Sequence, residues 1–283
     1  MKTLKKLTCI ICTIFLSVTL LSSTIVTNAA VLPGTEDLEL RQAILNGTYS
    51  EYCLQKSLHE GDEVISEQTT YLRINESNPS AKAEVVSENE FLNEIPGPSI
   101  STRGFKPGED INLPDKYNWI QLSIYCIKLE EPIHNNNYQF CATYRWKRNP
   151  MVIAFKDVFG IASDGNFVFD TSTFSGQAIN PTTFNPYGEV VDFTNASEDI
   201  VENTSGVAFK NKLSGSRFPK IYPMGSINVL GNAAASSAGI GITYAHSQLT
   251  GSFDVSIDKD GPAISVSPSV SFDTITQTAS IDF

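Results

Sequence analysis

The sequence predicts an all-β fold, an antiparallel β-sandwich or open barrel, preceded by a short, partly helical and mostly disordered N-terminal segment. Three observations carry this. From residue 117 onward, apolar and polar residues alternate with period two, the spacing at which side chains return to one face of a strand. Turn-forming residues punctuate these runs at short intervals. No alternation of strand and helix patterns and no repeat of fixed period accompanies them.

In chain order, residues 1–29 have the three parts of a cleavable secretory signal. Lys2, Lys5 and Lys6 form a positive start, residues 7–21 an apolar core, and Thr27-Asn28-Ala29-Ala30 a small-residue cleavage site. The 15-residue core is shorter than the roughly 18–20 apolar residues of a spanning helix. No later segment is long and apolar enough to form one. Removing the signal leaves 17 Lys plus Arg against 31 Asp plus Glu, a net charge of −14. A chain of that sign is unsuited to nucleic acid, whose binding depends on neutralising phosphates.

Residues 30–106 read as an acidic, weakly ordered lead-in or pro-segment. Thr35-Glu36-Asp37-Leu38 starts like a helix, with Thr35 as cap and acids in its first turn, and Gly47 ends it. Beyond Glu60 the composition turns to Glu, Ser, Asn and Thr, and residues 31–110 hold 15 acids against 6 bases. Pro96-Gly97-Pro98 and Lys106-Pro107-Gly108 punctuate its end, so the β domain is expected at 117–283.

Within that domain Ile120, Leu122, Ile124 and Cys126 alternate with polar residues, as do Tyr138, Phe140, Ala142, Tyr144 and Trp146. His134-Asn135-Asn136-Asn137 between them predicts a hairpin. Asp164-Gly165 predicts a second hairpin between Phe159 and Phe169. Residues 171–220, rich in Thr, Asn, Pro and Gly, are less legible. Residues 231–239 read as a flexible loop. The last third is the clearest. Phe253, Val255 and Ile257, then Ile264, Val266, Val270 and Phe272, then Ile275, Ala279 and Ile281 give one apolar face. Ser and Thr line the other, as in an antiparallel sheet with one face on a core.

The candidate chemistry is thin. Three cysteines survive signal removal, Cys53, Cys126 and Cys141, an odd number that closes at most one pair. Cys126 and Cys141 face each other if the hairpin turn is centred between Ile133 and His134. They are then either a cross-strand disulfide or two buried thiols, and a shift of one residue would put them on opposite faces. Asp258-Lys259-Asp260-Gly261 resembles the front of a calcium loop, but alignment on Gly261 puts Ser256 and Ser267 where ligating acids are needed, so a turn is expected. No nucleophile-elbow or zinc-helix motif occurs, which leaves only pairings such as Cys141 with His246 for a hydrolase. Tyr144, Arg145, Trp146, Lys147 and Arg148 form the one dense basic and aromatic cluster. It is either a contact surface for an anionic polymer or sugar ring, or a strand with its aromatics turned inward.

These readings predict a secreted or cell-envelope-associated binding or structural protein with no cofactor, no metal and no catalytic residue. Its partner would be an envelope polymer, glycan or protein. The alternative is a secreted pore-former that uses its Ser/Thr-rich C-terminal hairpins, since strands of apolar and hydroxyl faces can close a barrel in lipid. A hydrolase without a recognisable motif comes third.

Overall fold

A computed structural model describes residues 35–75, 83–93, 117–147, 156–184, 190–195, 198–212, 222–247, 254–258, 261–267 and 272–283. The expected signal, 1–29, lies outside them. Two compact units divide the chain, 1–40 and 41–283. Of the first, the described part is the opening of helix α1 (Thr35–Asn46). The second is an antiparallel β-sandwich.

Its elements are the remainder of α1, α2 (Tyr49–Ser57), β1 (Glu63–Asn75), β2 (Glu84–Val86), α3 (Glu88–Asn93), β3 (Tyr117–Ile133), β4 (Asn136–Trp146), β5 (Lys156–Ser163), β6 (Phe167–Phe184), β7 (Val190–Asn195), β8 (Glu198–Asn203), β9 (Gly206–Lys212), β10 (Met224–Ala233), β11 (Ser237–Ser247), β12 (Asp254–Ile257), β13 (Ile264–Ser267) and β14 (Phe272–Asp282). One sheet runs β2-β1-β3-β4-β10-β6-β7, the second β14-β11-β5-β9-β8, and β12-β13 form a separate hairpin.

The period-two pattern explains the core. Ile120, Leu122, Ile124, Phe140, Tyr144 and Trp146 of the first sheet face Phe159, Ile161, Phe209, Ile240, Ile242 and Tyr244 of the second. The rings interlock edge to face, Tyr144 against Phe159 at 4.9 Å and Phe140 against Phe167 at 4.9 Å between centroids. Each such fully buried large side chain contributes about 1.5–3 kcal/mol. Helix α2 covers the outer face of the first sheet through polar contacts. Tyr49 donates to Ser226 at 3.2 Å, Ser57 donates to Asn228 at 2.8 Å, and Ser50 meets Thr143 at 2.7 Å.

Four expectations change. The β domain begins upstream of 117, because β1 pairs with β3 from Glu63–Lys128 to Asn75–Tyr117. Its polar centre, Ser66-Glu67-Gln68-Thr69-Thr70, hid it, since a strand near a sheet edge needs little apolar surface. Asp164-Gly165 does not close a hairpin. Gly165 has φ +87° as such a turn requires, but β5 and β6 enter different sheets and the turn is an arch across the core. Residues 231–239 are likewise strand ends joined by a three-residue connector from β10 to β11, where Ala234 donates to Asn166 O at 2.8 Å and Phe283 to Ser236 O at 2.9 Å. Fourth, the β3–β4 hairpin forms, with His134 and Asn135 both at positive φ (51° and 63°), but Cys126 pairs with Phe140 and Cys141 with Tyr125. The register breaks between Lys128 and Ile133, and the pairing beyond the break stands one residue away from the register that would have opposed Cys126 to Cys141.

Candidate functional site

That register decides the cysteines. Cys126 belongs to the inter-sheet core, whereas Cys141 on the opposite face lies beneath α2, near Cys53 and Ser57. Cys53, Cys126 and Cys141 are all free and buried, which is the second of the two alternatives for Cys126 and Cys141, buried thiols rather than a cross-strand disulfide. Burial pushes Cys53 up to about 11 and Cys126 up to about 12, and holds Cys141 above its ordinary value as well. Protonated thiols of this kind are poor nucleophiles.

His246 does not meet Cys141. It faces the core from β11, one step beyond the Ala245–Val158 pair, and stands in a row with Asp157 of β5 and Asn211 of β9. His246 Nδ1 lies 3.1 Å from each carboxylate oxygen of Asp157. Tyr244 donates its hydroxyl to Asp157 and accepts from Trp146 Nε1 at 2.8 Å, while Asn211 Nδ2 donates to Tyr144 at 2.8 Å. Desolvation, reinforced by the Asp157 charge, raises both tyrosines above their ordinary value, so they remain donors. Every residue of this network is at most 1% exposed. Burial that deep suits a polar strut between sheets rather than a nucleophile and its base. The signal for it was readable: Asp157 is in phase with Phe159 and Ile161, and His246 with Tyr244 and Ile242.

The predicted contact cluster is divided by the same alternation. Tyr144 and Trp146 point into the core at 0% exposure, so neither presents a ring for a sugar. Arg145 and Lys147 point to the outer face, where Phe91 of α3 lies across them. Arg148 lies outside the described residues.

The β12–β13 hairpin is the element built differently from the rest. It lies on the outer face of the second sheet, with Ile257, Ile264 and Val266 turned down onto Val158, Ala162, Ala208 and Ala245. The seat is flat because its residues are small. A Cβ at Gly160 would collide with Ile264, and one at Gly241 with the Pro262 carbonyl. On the other side Asp254, Ser256, Ser265 and Ser267 are exposed. The pairing Asp254–Ser267 through Ile257–Ile264 puts apolar opposite apolar and polar opposite polar. Elsewhere, an open depression of about 400 Å³ is bordered by Ile133, His134, Gln139, Ser172, Thr173 and Leu230. Among the described residues, no helix is long and apolar enough to cross a membrane.

No family model and no curated protein matches this chain. Among solved structures, the KRT10-binding region domain of the pneumococcal serine-rich repeat protein PsrP is similar over 59% of this chain and 89% of its own, with 10% identity and a TM-score of 0.27. A pore-forming protein matches over 78% and 96%, with 8% identity and a TM-score of 0.26. Clostridium perfringens delta-toxin matches over 58% and 83%, with 6% identity and a TM-score of 0.25. At TM-scores this low the likeness identifies neither a family nor a shared activity.

Proposed function

We propose that the protein is secreted and acts on membranes, inserting the segment 249–272 as a β-hairpin into a pore built from several copies. The observation that carries this reading is the β12–β13 hairpin, clipped by one apolar face onto a bed of mostly Ala and Gly, with its other face of Ser and Asp in water. In the sequence the alternation continues past the described strands. Leu249, Phe253, Val255 and Ile257 share one phase, and Ile264, Val266, Val270 and Phe272 the matching one, with Gly251 and Pro268 between. Segments 249–257 and 264–272 are nine residues each, close to the 9–11 residues of a tilted transmembrane strand. Thr250, Ser252, Ser256, Ser265, Ser269 and Ser271 would then line the lumen.

Lipid leaves no water for an unpaired strand edge, so two strands cannot insert alone. The smallest bacterial barrels have eight strands, so about four copies or more are required. The hairpin's own apolar face exchanges one dry surface for another, and what its departure uncovers is the seat, made of Val158 and the small side chains Ala162, Ala208 and Ala245. An extracellular location follows from the signal-like start and from this role. The envelope-binding reading based on Tyr144 and Trp146 loses its rings to the core.

Dye release from phosphatidylcholine–phosphatidylserine vesicles tests the proposal. Release should rise more steeply than linearly with protein concentration. The double substitution Ala208→Cys with Ile264→Cys, between residues that pack together on the seat, should abolish it when oxidised, and reductant should restore it. Absence of release between pH 4.5 and 8, or release indifferent to the tether, would contradict the reading.

A further inference from the structure

On the outer face of the first sheet, at the end where β4 stops, three strands set six side chains in two rows. Arg73 is paired with Trp119, whose carbonyl accepts from the Lys147 amide at 2.8 Å, and Tyr71 is paired with Gln121, which is paired with Arg145. Their sequence neighbours Leu72, Ile120 and Trp146 face the inter-sheet core, so alternation alone turns these six outward. Three cations, Arg73 on β1, Arg145 on β4 and Lys147 just past the end of β4, thus flank β3 in a chain whose net charge is −11.

Phe91 fills the middle of this patch. Its ring is 4.8 Å from Tyr71 and 6.4 Å from Trp119 between centroids, 5.8 Å from the Arg145 guanidinium carbon and 5.0 Å from Lys147 Nζ. It is the one buried residue of α3, a six-residue helix. Underneath, two donors are buried with no acceptor among the described residues, Arg145 Nε and Trp119 Nε1. The hydrogen bond given by the Arg145 guanidinium goes from NH2 to Gln121 Oε1 at 3.1 Å. Gly47, at φ +76°, leaves room for NH1, because a Cβ there would collide with it. Burial lowers Arg145 from the usual arginine value, partly offset by the charge of Glu51. Of the other nearby carboxylates, two are held at the rim of the patch by its own Arg73 and Tyr71, and none accepts from the two buried donors. Glu84 is bound by Arg73, Glu88 accepts from Tyr71 at 3.1 Å, and Glu90 accepts from Ser87 N at 2.8 Å. Buried donors are nearly always satisfied, so two unsatisfied ones beside each other ask for an acceptor.

We propose that this patch is a binding site for a phosphate group, occupied in the unliganded chain by Phe91 acting as a plug. A phosphate offers only acceptors and several of them, which suits an indole N–H, an ammonium and the fork of a guanidinium. The aromatic rings around it exclude water and strengthen each charged contact. The plug is held by one side chain on a short helix, and withdrawing it exposes the donors without disturbing the sheet. The site stands independently of the hairpin, on the opposite sheet.

Calorimetric titration of the mature chain with inorganic phosphate, and flotation with phosphatidylglycerol vesicles, test it. Phe91→Ala should bind phosphate at least tenfold more tightly than the unaltered chain. Adding Arg145→Gln should remove that binding, and Trp119→Phe should weaken it severalfold, with circular dichroism verifying the fold of each. Binding of free phosphate assigns a soluble phosphate ligand; capture by vesicles alone, lost in Arg145→Gln, assigns a lipid headgroup phosphate. If Phe91→Ala binds neither probe, or if binding survives both Arg145→Gln and Trp119→Phe, the site is overturned.

Discussion

The inter-sheet core and the seat of the β12–β13 hairpin use the same sequence device and reach opposite mechanical results. In both, apolar residues alternate with polar ones and bury one face. In the core the partners are large on both sides, and Trp146, Tyr144, Tyr244 and Phe159 interlock around the Asp157–His246 pair. On the seat, three branched side chains rest on Ala, Gly and the single Val158. Large against large gives interdigitation, which resists sliding and separation. Large against small gives a smooth contact that can part as a unit. Alternation says that a face is buried; the size of what it meets says how firmly.

The largest expected effect is in the core. Trp146→Ala should lower the unfolding free energy by about 3–5 kcal/mol, from the cavity and from the lost hydrogen bond to Tyr244; urea unfolding followed by circular dichroism measures it. A loss below 1 kcal/mol would mean that the interlock matters little. The same truncation on the seat, Ile264→Ala, should cost about 2 kcal/mol at most, because it cannot exceed the free energy holding the hairpin down. Hydrogen exchange should then show 254–257 and 264–267 unprotected while β3, β4 and β11 keep their protection. Loss of protection throughout would erase the contrast between the two regions.

The smallest effect concerns alkaline pH. Cys53, Cys126 and Tyr71 are raised to about 11, 12 and 12 from ordinary values of 9.0, 9.0 and 10.0. The folded chain holds these protons above the pH at which the unfolded chain releases them. Stability from this source is therefore intact below pH 9 and declines as pH rises past 9 toward 11–12. The urea midpoint should be lower at pH 10 than at pH 8, and an unchanged midpoint would argue that these groups are accessible.

Much of the sandwich was legible because strand alternation is local. The runs around Ile120–Cys126, Tyr138–Trp146 and Ile275–Ile281 all became strands, and β12 and β13 pair on either side of the expected turn, whose Lys259 and Asp260 lie outside the described residues. What alternation does not encode is the sheet a strand joins. Asp164-Gly165 has the chemistry of a hairpin turn and serves as an arch, because Phe159 and Phe167 fill one core from opposite sheets. The cysteine register failed for a related reason, since an irregularity between Lys128 and Ile133 displaces the strand in a way that no residue pattern announces. Of the contact cluster, period two already separated Tyr144 and Trp146 from Arg145 and Lys147. The placement of Phe91 over the two cations was invisible, because it depends on contacts 54 and 56 positions away in the sequence.

The central claim is that the hairpin leaves its seat and enters a bilayer with its alternation intact. The most direct test places an environment-sensitive fluorophore on single cysteines introduced at Val255, Ser256, Ser265 and Val266 and reads the emission before and after vesicles are added. A blue shift with quenching by lipid-borne quenchers is expected at 255 and 266, and neither at 256 and 265. Emission that stays unchanged at all four, or shifts equally at all four, would contradict it.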